Sequence, residues 1–274
     1  MVKYGKFVAL IAVTALAVVA LALAGCSAPA APTTPEAPAA DLKLVTPDTL
    51  TAGSDTTFPP FESMNGSVAE GFDVDLLAAV AKEAGISKVV FLSELFDTLI
   101  PTLKAGGKFD VIASGMTIKP ERALEIDFTD AYFDSNQSVA MKTGGTYAAP
   151  ADLKGKKVGV QSGTTGEAWA TENLVPAGAS VVQFKDTAGA FTALQAGNVD
   201  AVINDLPVTA EYVKDTAKGL VMAAQIPTGE QYGFAVSKDN PALLKAMNDG
   251  LAKVRASGEY DAIYTKWFGV APVK

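Results

Sequence analysis

The sequence predicts an α/β chain folded as two similar lobes joined by two crossing segments, and three observations predict it. First, apolar strand-like runs alternate with amphipathic helical stretches over residues 50–112 and again over residues 156–210, the pattern of largely parallel sheets. Second, a pattern recurs: Leu103-Lys-Ala-Gly-Gly-Lys-Phe-Asp-Val-Ile-Ala-Ser114 resembles Leu194-Gln-Ala-Gly-Asn-Val-Asp-Ala-Val-Ile-Asn-Asp205. Each is a helix end, a Gly turn, a buried strand and polar residues at the strand's end. Third, the alternation breaks after Asp130, and an extended stretch at 231–237 returns the chain to a final helical part. Lobe one is expected to take residues 42–137 plus 238–274 and lobe two residues 142–230, with the two crossings as a hinge.

Each element has its local reason. Residues 50–54 read as a first strand ending at Asp55. Residues 71–84 read as a helix, with Asp73 as its cap and Val74, Leu77, Val80, Ala81 and Ala84 on one face. A strand at 89–92, a helix at 95–105 stopped by Gly106-Gly107 and a strand at 109–112 follow. The loop from Ala113 then runs to a helix opened by Pro120, a residue suited to a first turn. In lobe two, 138–141 is a strand-like connection, 158–161 a strand, and Ser162-Gly-Thr-Thr-Gly166 a loop that opens a helix. A strand at 181–184, a helix at 188–196 and a strand at 199–203 lead to a helix opened by Pro207. Leu244, Met247, Leu251 and Val254 define an amphipathic helix, Gly258 ends it, and 260–268 form a last apolar segment.

Composition bounds the chemistry. With 274 residues, about half of them apolar, there is material for two modest cores. A net charge of −8 argues against a nucleic-acid partner. The absence of histidine removes His general bases, His metal ligands and Ser-His triads. The single cysteine, Cys26, leaves no intrachain disulfide and no thiol nucleophile in the folded part. No metal and no cofactor are expected.

The N-terminus sets the compartment. Lys3 and Lys6 precede an apolar run over residues 7–24 that has the length of a signal peptide or an anchor helix. Leu23-Ala-Gly-Cys26 resembles the bacterial lipobox, in which small residues precede a cysteine that is lipidated before cleavage. The alternative is an uncleaved anchor helix, but no Lys or Arg lies between Phe7 and Lys43 to make a basic stop-transfer flank. Cleavage would remove residues 1–25, with two lysines and no acid, and take the net charge from −8 to −10. Residues 26–41 then form a lipidated Ala/Pro-rich tether. The folded part is expected to work outside the cytoplasmic membrane, held to it by lipid.

The polar residues at the strand ends suit a zwitterion. Arg122, one of only two arginines, offers a planar fork for a carboxylate, or else a partner for Glu121 or Glu125. Ser114 and Thr117 offer hydroxyls, and Gly115 admits close approach to the backbone. Thr164 and Thr165 open a helix whose N–H groups favour an anion, although helix capping alone would also account for them. Asp205 suits an ammonium, while Asn204 and Asp205 are also placed to cap the helix at Pro207. Phe58 and Phe96 can wall a side-chain pocket or pack in a core. Asp55 favours a ligand side chain with donors, and Gln161 and Asn204 are neutral adaptable groups. Carboxylate and ammonium subsites side by side describe an α-amino acid.

These residues lie in motifs that resemble the extracellular solute-binding proteins of family 3, the polar amino-acid receptors of ABC importers. The motifs are Asp55-Thr-Thr-Phe-Pro-Pro-Phe-Glu62, Gly71-Phe-Asp-Val-Asp-Leu76, Phe96-Asp-Thr-Leu-Ile-Pro101, Gly115-Met-Thr-Ile-Lys-Pro-Glu-Arg122 and Asp127-Phe-Thr-Asp-Ala-Tyr132. In the second lobe they are Asp152-Leu-Lys-Gly-Lys-Lys-Val-Gly159, Gly163-Thr-Thr165 and Ala196-Gly-Asn-Val-Asp-Ala-Val-Ile-Asn-Asp205, with Lys266-Trp-Phe-Gly269 closing the set. The resemblance implies a periplasmic-binding-protein-like (type II) fold that closes on its ligand. It implies that Arg122 grips the ligand α-carboxylate, assisted by backbone N–H and hydroxyl groups of Thr117 and Thr165. Asp205, Gly115 and Ser114 would hold the α-ammonium. Phe58 and Phe96 would flank the side chain, and Asp55, Gln161 and Asn204 would tune selectivity towards a basic or amide amino acid. Many relatives carry Tyr where Phe58 stands, so this wall is less polar. The implied partners are an amino acid, an ABC permease with its ATPase, and the membrane through the lipid, with the receptor a monomer. The rivals are an amino-acid sensor without transport and a cyclohexadienyl dehydratase-like enzyme, which would need a dedicated general acid or base.

Overall fold

The computed structural model describes residues 41–273. The signal segment, Cys26 and the tether up to residue 40 lie outside the described residues. Among the described residues no helix is long and apolar enough to cross a membrane.

Lobe one opens with β1 (Thr49–Ser54), an almost wholly buried strand, as expected where neighbours flank it on both sides. A small antiparallel sheet follows, made of β2 (Thr57–Phe58), β3 (Glu62–Asn65) and β4 (Val68–Glu70). The sequence gives it no period-2 signal, because its strands are only two to four residues long. Then come α1 (Phe72–Glu83), β5 (Lys88–Ser93), α2 (Phe96–Ala105), β6 (Val111–Ile112), α3 (Pro120–Ala123) and β7 (Asp127–Phe128). Asp73 does not cap α1; Gly71 takes that place. The Asp73 side chain turns inward, where Oδ2 accepts from Gly115 N at 2.9 Å and from Tyr132 OH at 2.6 Å.

Lobe two comprises β8 (Phe133–Lys142), β9 (Lys157–Gln161), α4 (Thr165–Asn173), β10 (Ser180–Phe184), α5 (Thr187–Ala196), β11 (Ala201–Asp205), α6 (Leu206–Lys214) and β12 (Leu220–Tyr232). Helix α5 is capped by Asp186, which accepts from Gly189 N at 2.7 Å, and the expected Gly turn closes it, with Gly197 in a left-handed conformation. The chain returns with β13 (Ala235–Val236), α7 (Pro241–Ala256) and α8 (Glu259–Phe268).

The two main sheets have matching designs. The first has the order β5-β1-β6-β13-β7 and the second β10-β9-β11-β8-β12. In each, three parallel strands are joined by antiparallel ones on one side. The register puts the crossings a few residues from the expected boundaries. Residues 133–137, assigned to lobe one from sequence, already pair with β12 in the second sheet, and β13 joins the first sheet ahead of residue 238. The crossings lie side by side, with Thr129 N donating to Phe234 O and Tyr132 N to Tyr232 O, both at 2.8 Å. Local periodicity reports a strand's existence but not which sheet it joins, which explains the displaced boundaries.

The first lobe's core sets Leu50, Ala52 and Val111 against Leu76, Val80, Met247, Leu251 and Val254. The second lobe's main core gathers Val139, Val158, Val160, Leu174 and Ile203. Beneath the crossings an aromatic cluster fills the junction. Phe61 meets Phe133 edge-on at 4.9 Å, and Phe133 stacks on Tyr232 at 5.6 Å.

Candidate functional site

In open α/β sheets ligands bind beyond the C-terminal ends of parallel strands. Those of β1 and β6 carry Asp55 and the 113–119 loop; those of β9 and β11 carry the 162–164 loop and Asp205. These ends converge between the lobes on one small cavity. It is lined by Phe58, Phe96, Gly115, Thr117, Arg122, Gln161, Thr164, Thr165 and Asp205. All nine are residues that the sequence singled out. The cavity measures about 10 Å³, room for about one water molecule. The lobes therefore hold these side chains closed against each other.

The other three expected residues do not line the cavity. Ser114 is buried in a structural relay: its Oγ accepts from Asp55 N at 2.9 Å and donates to Glu62 Oε1 at 3.1 Å. Asp55 receives Thr57 N at 3.1 Å and Thr57 Oγ1 at 2.8 Å on one oxygen, and Gln161 Nε2 on the other. It thus acts on the cavity only through Gln161. Asn204 is buried with its Nδ2 unpartnered. Its position on β11 alternates with Asp205, so the two side chains leave the strand on opposite faces.

Arg122 stands on α3 and joins the lobes. Nη1 donates to Thr117 O at 2.8 Å and Nη2 to Gly163 O at 3.0 Å, while the guanidinium lies 5.2 Å from the centre of the Phe96 ring. It pairs with neither acid suggested by sequence proximity: Glu125 is taken by Lys104, and no ion pair with Glu121 forms. Burial lowers its pKa, opposed by the nearby charges of Asp205 and Glu230. Thr164 does cap α4, accepting from Glu167 N at 3.2 Å, and it lines the cavity as well. Thr165 is the first residue of α4, where backbone N–H groups lack partners within the helix.

Asp205 is the opposite pole. It makes no side-chain capping bond to α6, so the capping alternative fails. Its Oδ1 accepts from Gln137 Nε2 at 2.6 Å and its Oδ2 from Tyr232 OH. Burial, then the neighbouring Glu230 charge, pushes its pKa up to about 7, against the opposing pull of the Tyr232 and Gln137 bonds and Arg122.

Sequence reasoning missed five polar residues. Glu62 and Asp73 are wholly buried beneath the Ser114-Gly115 turn, each with one unpartnered oxygen. Burial first, and then the Asp73 charge, raises the Glu62 pKa well above the usual carboxylate range; burial raises that of Asp73 to about 7. Gln137, Glu230 and Tyr232 belong to the crossing strands, and no local pattern marks them. Both Thr117 Oγ1 and Thr165 Oγ1 donate to Glu230 Oε2, at 2.8 and 2.7 Å. Among the described residues no cluster of three or more His, Cys, Asp or Glu could hold a metal ion.

Gly115 shows how tightly the site is built. Its φ is +46°, and a Cβ there would stand 2.7 Å from Phe58 Cε1. Gly115→Ala is expected to move the Phe58 ring into the cavity and lower ligand affinity at least tenfold. Calorimetric titration checks it; unchanged affinity would mean that the Gly115 turn and Phe58 do not shape the site.

Comparison with known proteins agrees with this geometry. The model of the bacterial extracellular solute-binding proteins, family 3, matches residues 50–270. A probable histidine-binding protein of Neisseria gonorrhoeae is 41% identical over 221 residues, covering 78% of this chain and 81% of its own. The ABC transporter arginine-binding protein 1 of Escherichia coli (strain K12) is 36% identical over 228 residues, covering 81% of this chain and 91% of its own. A solved ancestral arginine-binding protein bound to glutamine superposes with a TM-score of 0.77 at 42% identity, covering 82% of this chain and all of its own.

Proposed function

Because the chain belongs to the bacterial extracellular solute-binding proteins, family 3, we propose that it captures an amino acid with a basic or amide side chain and delivers it to an ABC importer. One observation carries the reading: a small cavity between the lobes has Arg122 and Asp205 in its walls. A carboxylate on the guanidinium and an ammonium on the carboxylate place a zwitterion across the cleft. Only the closed arrangement presents both lobes' contacts, so ligand shifts the open–closed balance towards closure. A permease then recognises the closed form.

Phe58 and Phe96 flank the ligand side chain, and Gln161 presents it with an amide already oriented by Asp55 and by Thr187 Oγ1, which donates to Gln161 Oε1 at 2.8 Å. The relatives' names, histidine-, arginine- and glutamine-linked, support the basic or amide class. They are names of binding proteins, which supports capture rather than turnover. The boundaries proposed for the lobes are residues 42–137 plus 238–274 and 142–230, shifted at the crossings as the strand register requires. Outside these, Leu23-Ala-Gly-Cys26 supports a cleaved signal peptide and a lipid on Cys26 that tethers a monomeric receptor to the membrane.

A thermal-shift screen of the purified protein against the twenty amino acids tests the reading. Ligand that binds only the native state raises the midpoint. Arginine, histidine, lysine or glutamine is expected to give the largest rise. No rise with any amino acid would overturn the proposal.

A further inference from the structure

The two threonines on the cavity wall belong to different lobes, and one carboxylate holds both. Glu230 Oε2 accepts from Thr117 Oγ1 at 2.8 Å and from Thr165 Oγ1 at 2.7 Å. Glu230 itself does not line the small cavity; it lines an outer recess of about 320 Å³ that also reaches Thr117 and Thr165. The threonines thus form the wall between cavity and recess, with the carboxylate behind it. Gln137 Nε2 completes the arrangement, lying 2.6 Å from Asp205 Oδ1, 3.2 Å from Glu230 Oε1 and 3.2 Å from Thr165 Oγ1.

The directions of these bonds are forced. A hydroxyl has one proton and two lone pairs, and a carboxylate only accepts. Both threonine protons therefore point at Glu230, away from the cavity. What remains for the cavity is oxygen lone pairs, two on Thr117 and, since Thr165 Oγ1 accepts from Gln137 Nε2, one on Thr165. Those pairs repel a ligand carboxylate and attract an ammonium. The sequence reading gave both hydroxyls to the carboxylate; these bond directions argue for the ammonium instead.

We propose that Glu230 is a positioning residue that sets the hydrogen-bond polarity of the ligand cavity, aiming the Thr117 and Thr165 oxygens at the ligand ammonium and leaving the carboxylate to Arg122 and backbone N–H groups. The inference deepens the amino-acid reading and rests on it. Glu230 would thereby make the site select for an α-ammonium without touching the ligand. Asp205 alone supplies one acceptor group; with the two threonine oxygens the ammonium's three protons all find partners.

Glu230→Gln tests it. Gln137 Nε2 donates to the Oε1 position at 3.2 Å, so the Gln carbonyl is expected there and its nitrogen at the Oε2 position, where it donates to a threonine oxygen and turns a threonine proton into the cavity. Affinities of wild type and variant are measured by calorimetry for L-arginine and for 5-guanidinopentanoate, which lacks only the ammonium, and likewise for L-glutamine and its deamino analogue. The amino acids are expected to lose about tenfold or more in Glu230→Gln, and the deamino analogues to hold or gain, so that the preference for the ammonium shrinks. Equal losses for both members of a pair would mean that Glu230 serves only to hold the lobes, and would overturn the proposal; so would unchanged amino-acid affinity. A measurement without ligand separates the inference from the reading beneath it. Wild type is expected to show two slowly exchanging threonine hydroxyl protons by NMR, assigned through Thr117→Val and Thr165→Val, and Glu230→Gln to lose them. If wild type binds no amino acid, the functional reading falls, and these protons still decide whether Glu230 orients the hydroxyls: their persistence in Glu230→Gln overturns it.

Discussion

Arg122→Ala is expected to lower amino-acid affinity by about two to three orders of magnitude, because truncating one partner of a buried charge pair costs about 2–5 kcal/mol. Arg122 is the one cation among the residues lining the cavity. The chain's other arginine, Arg255, is remote from it, donating to Ala131 O at 2.7 Å and lying 5.2 Å from the Tyr260 ring centre. Without Arg122 a ligand carboxylate enters a closed space beside Asp205 and Glu230 with no counter-charge. Its contact to Gly163 O also links the lobes, so the variant loses a closure contact as well as a ligand contact. Arg122→Lys keeps the charge but not the fork and is expected to fall between wild type and Ala. Titration calorimetry reads both. Wild-type affinity in Arg122→Ala would remove Arg122 from the site.

The second large effect is on stability against pH. Asp73 and Asp205 have pKa values near 7 in the folded protein, and Glu62 is also raised, whereas in the unfolded chain all three titrate near the ordinary carboxylate values. Between about pH 4 and pH 7 the folded state then binds protons that the unfolded state has released. Stability therefore falls as pH rises through this window, by about 1.4 kcal/mol per pH unit for each carboxyl held protonated. Exposed Asp152 has the opposite sign: the N–H groups of Ala148 and Ala149 lower its pKa, so its contribution is lost only at more acid pH. Denaturant midpoints measured from pH 4.5 to 7.5 should decline, and Asp73→Asn should flatten the decline. Saturating amino acid should flatten it too, since an ammonium against Asp205 favours its ionised form. A midpoint that climbs steadily across this range would show that these carboxyls ionise freely in the fold.

What could be read from the sequence was what short-range chemistry encodes. Strand-ending polar residues followed by helix-opening ones, as at 113–120 and 161–165, announce a ligand edge. That is why Gly115, Thr117, Gln161, Thr164 and Thr165, which line the cavity, could be singled out from sequence. Ser114 and Asn204 misled because a polar residue at a strand's end has two faces to choose from, and pairing register decides. Asp73 looked like a cap because caps are local; its partners Gly115 and Tyr132 lie 42 and 59 residues away. Glu230 and Gln137 were invisible for the same reason. Each sits on a strand whose importance comes from crossing between lobes, and crossing is a property of the whole topology.

That topology also dictates an order of assembly. Every strand of the second sheet lies within one unbroken stretch, residues 133–232, so it can be completed before the last forty residues are available. The first sheet cannot. β13 must slot between β6 and β7, and α7 must cover α1, so the sheet's gap stays open until residues 235–236 are made and α1 stays uncovered until α7 follows. A chain emerging N-terminus first therefore carries its earliest-made half as its last-finished half. β6, already paired with β1 on one side, waits for β13 on the other, and the C-terminal helices act as the closing act of folding rather than as an appendage.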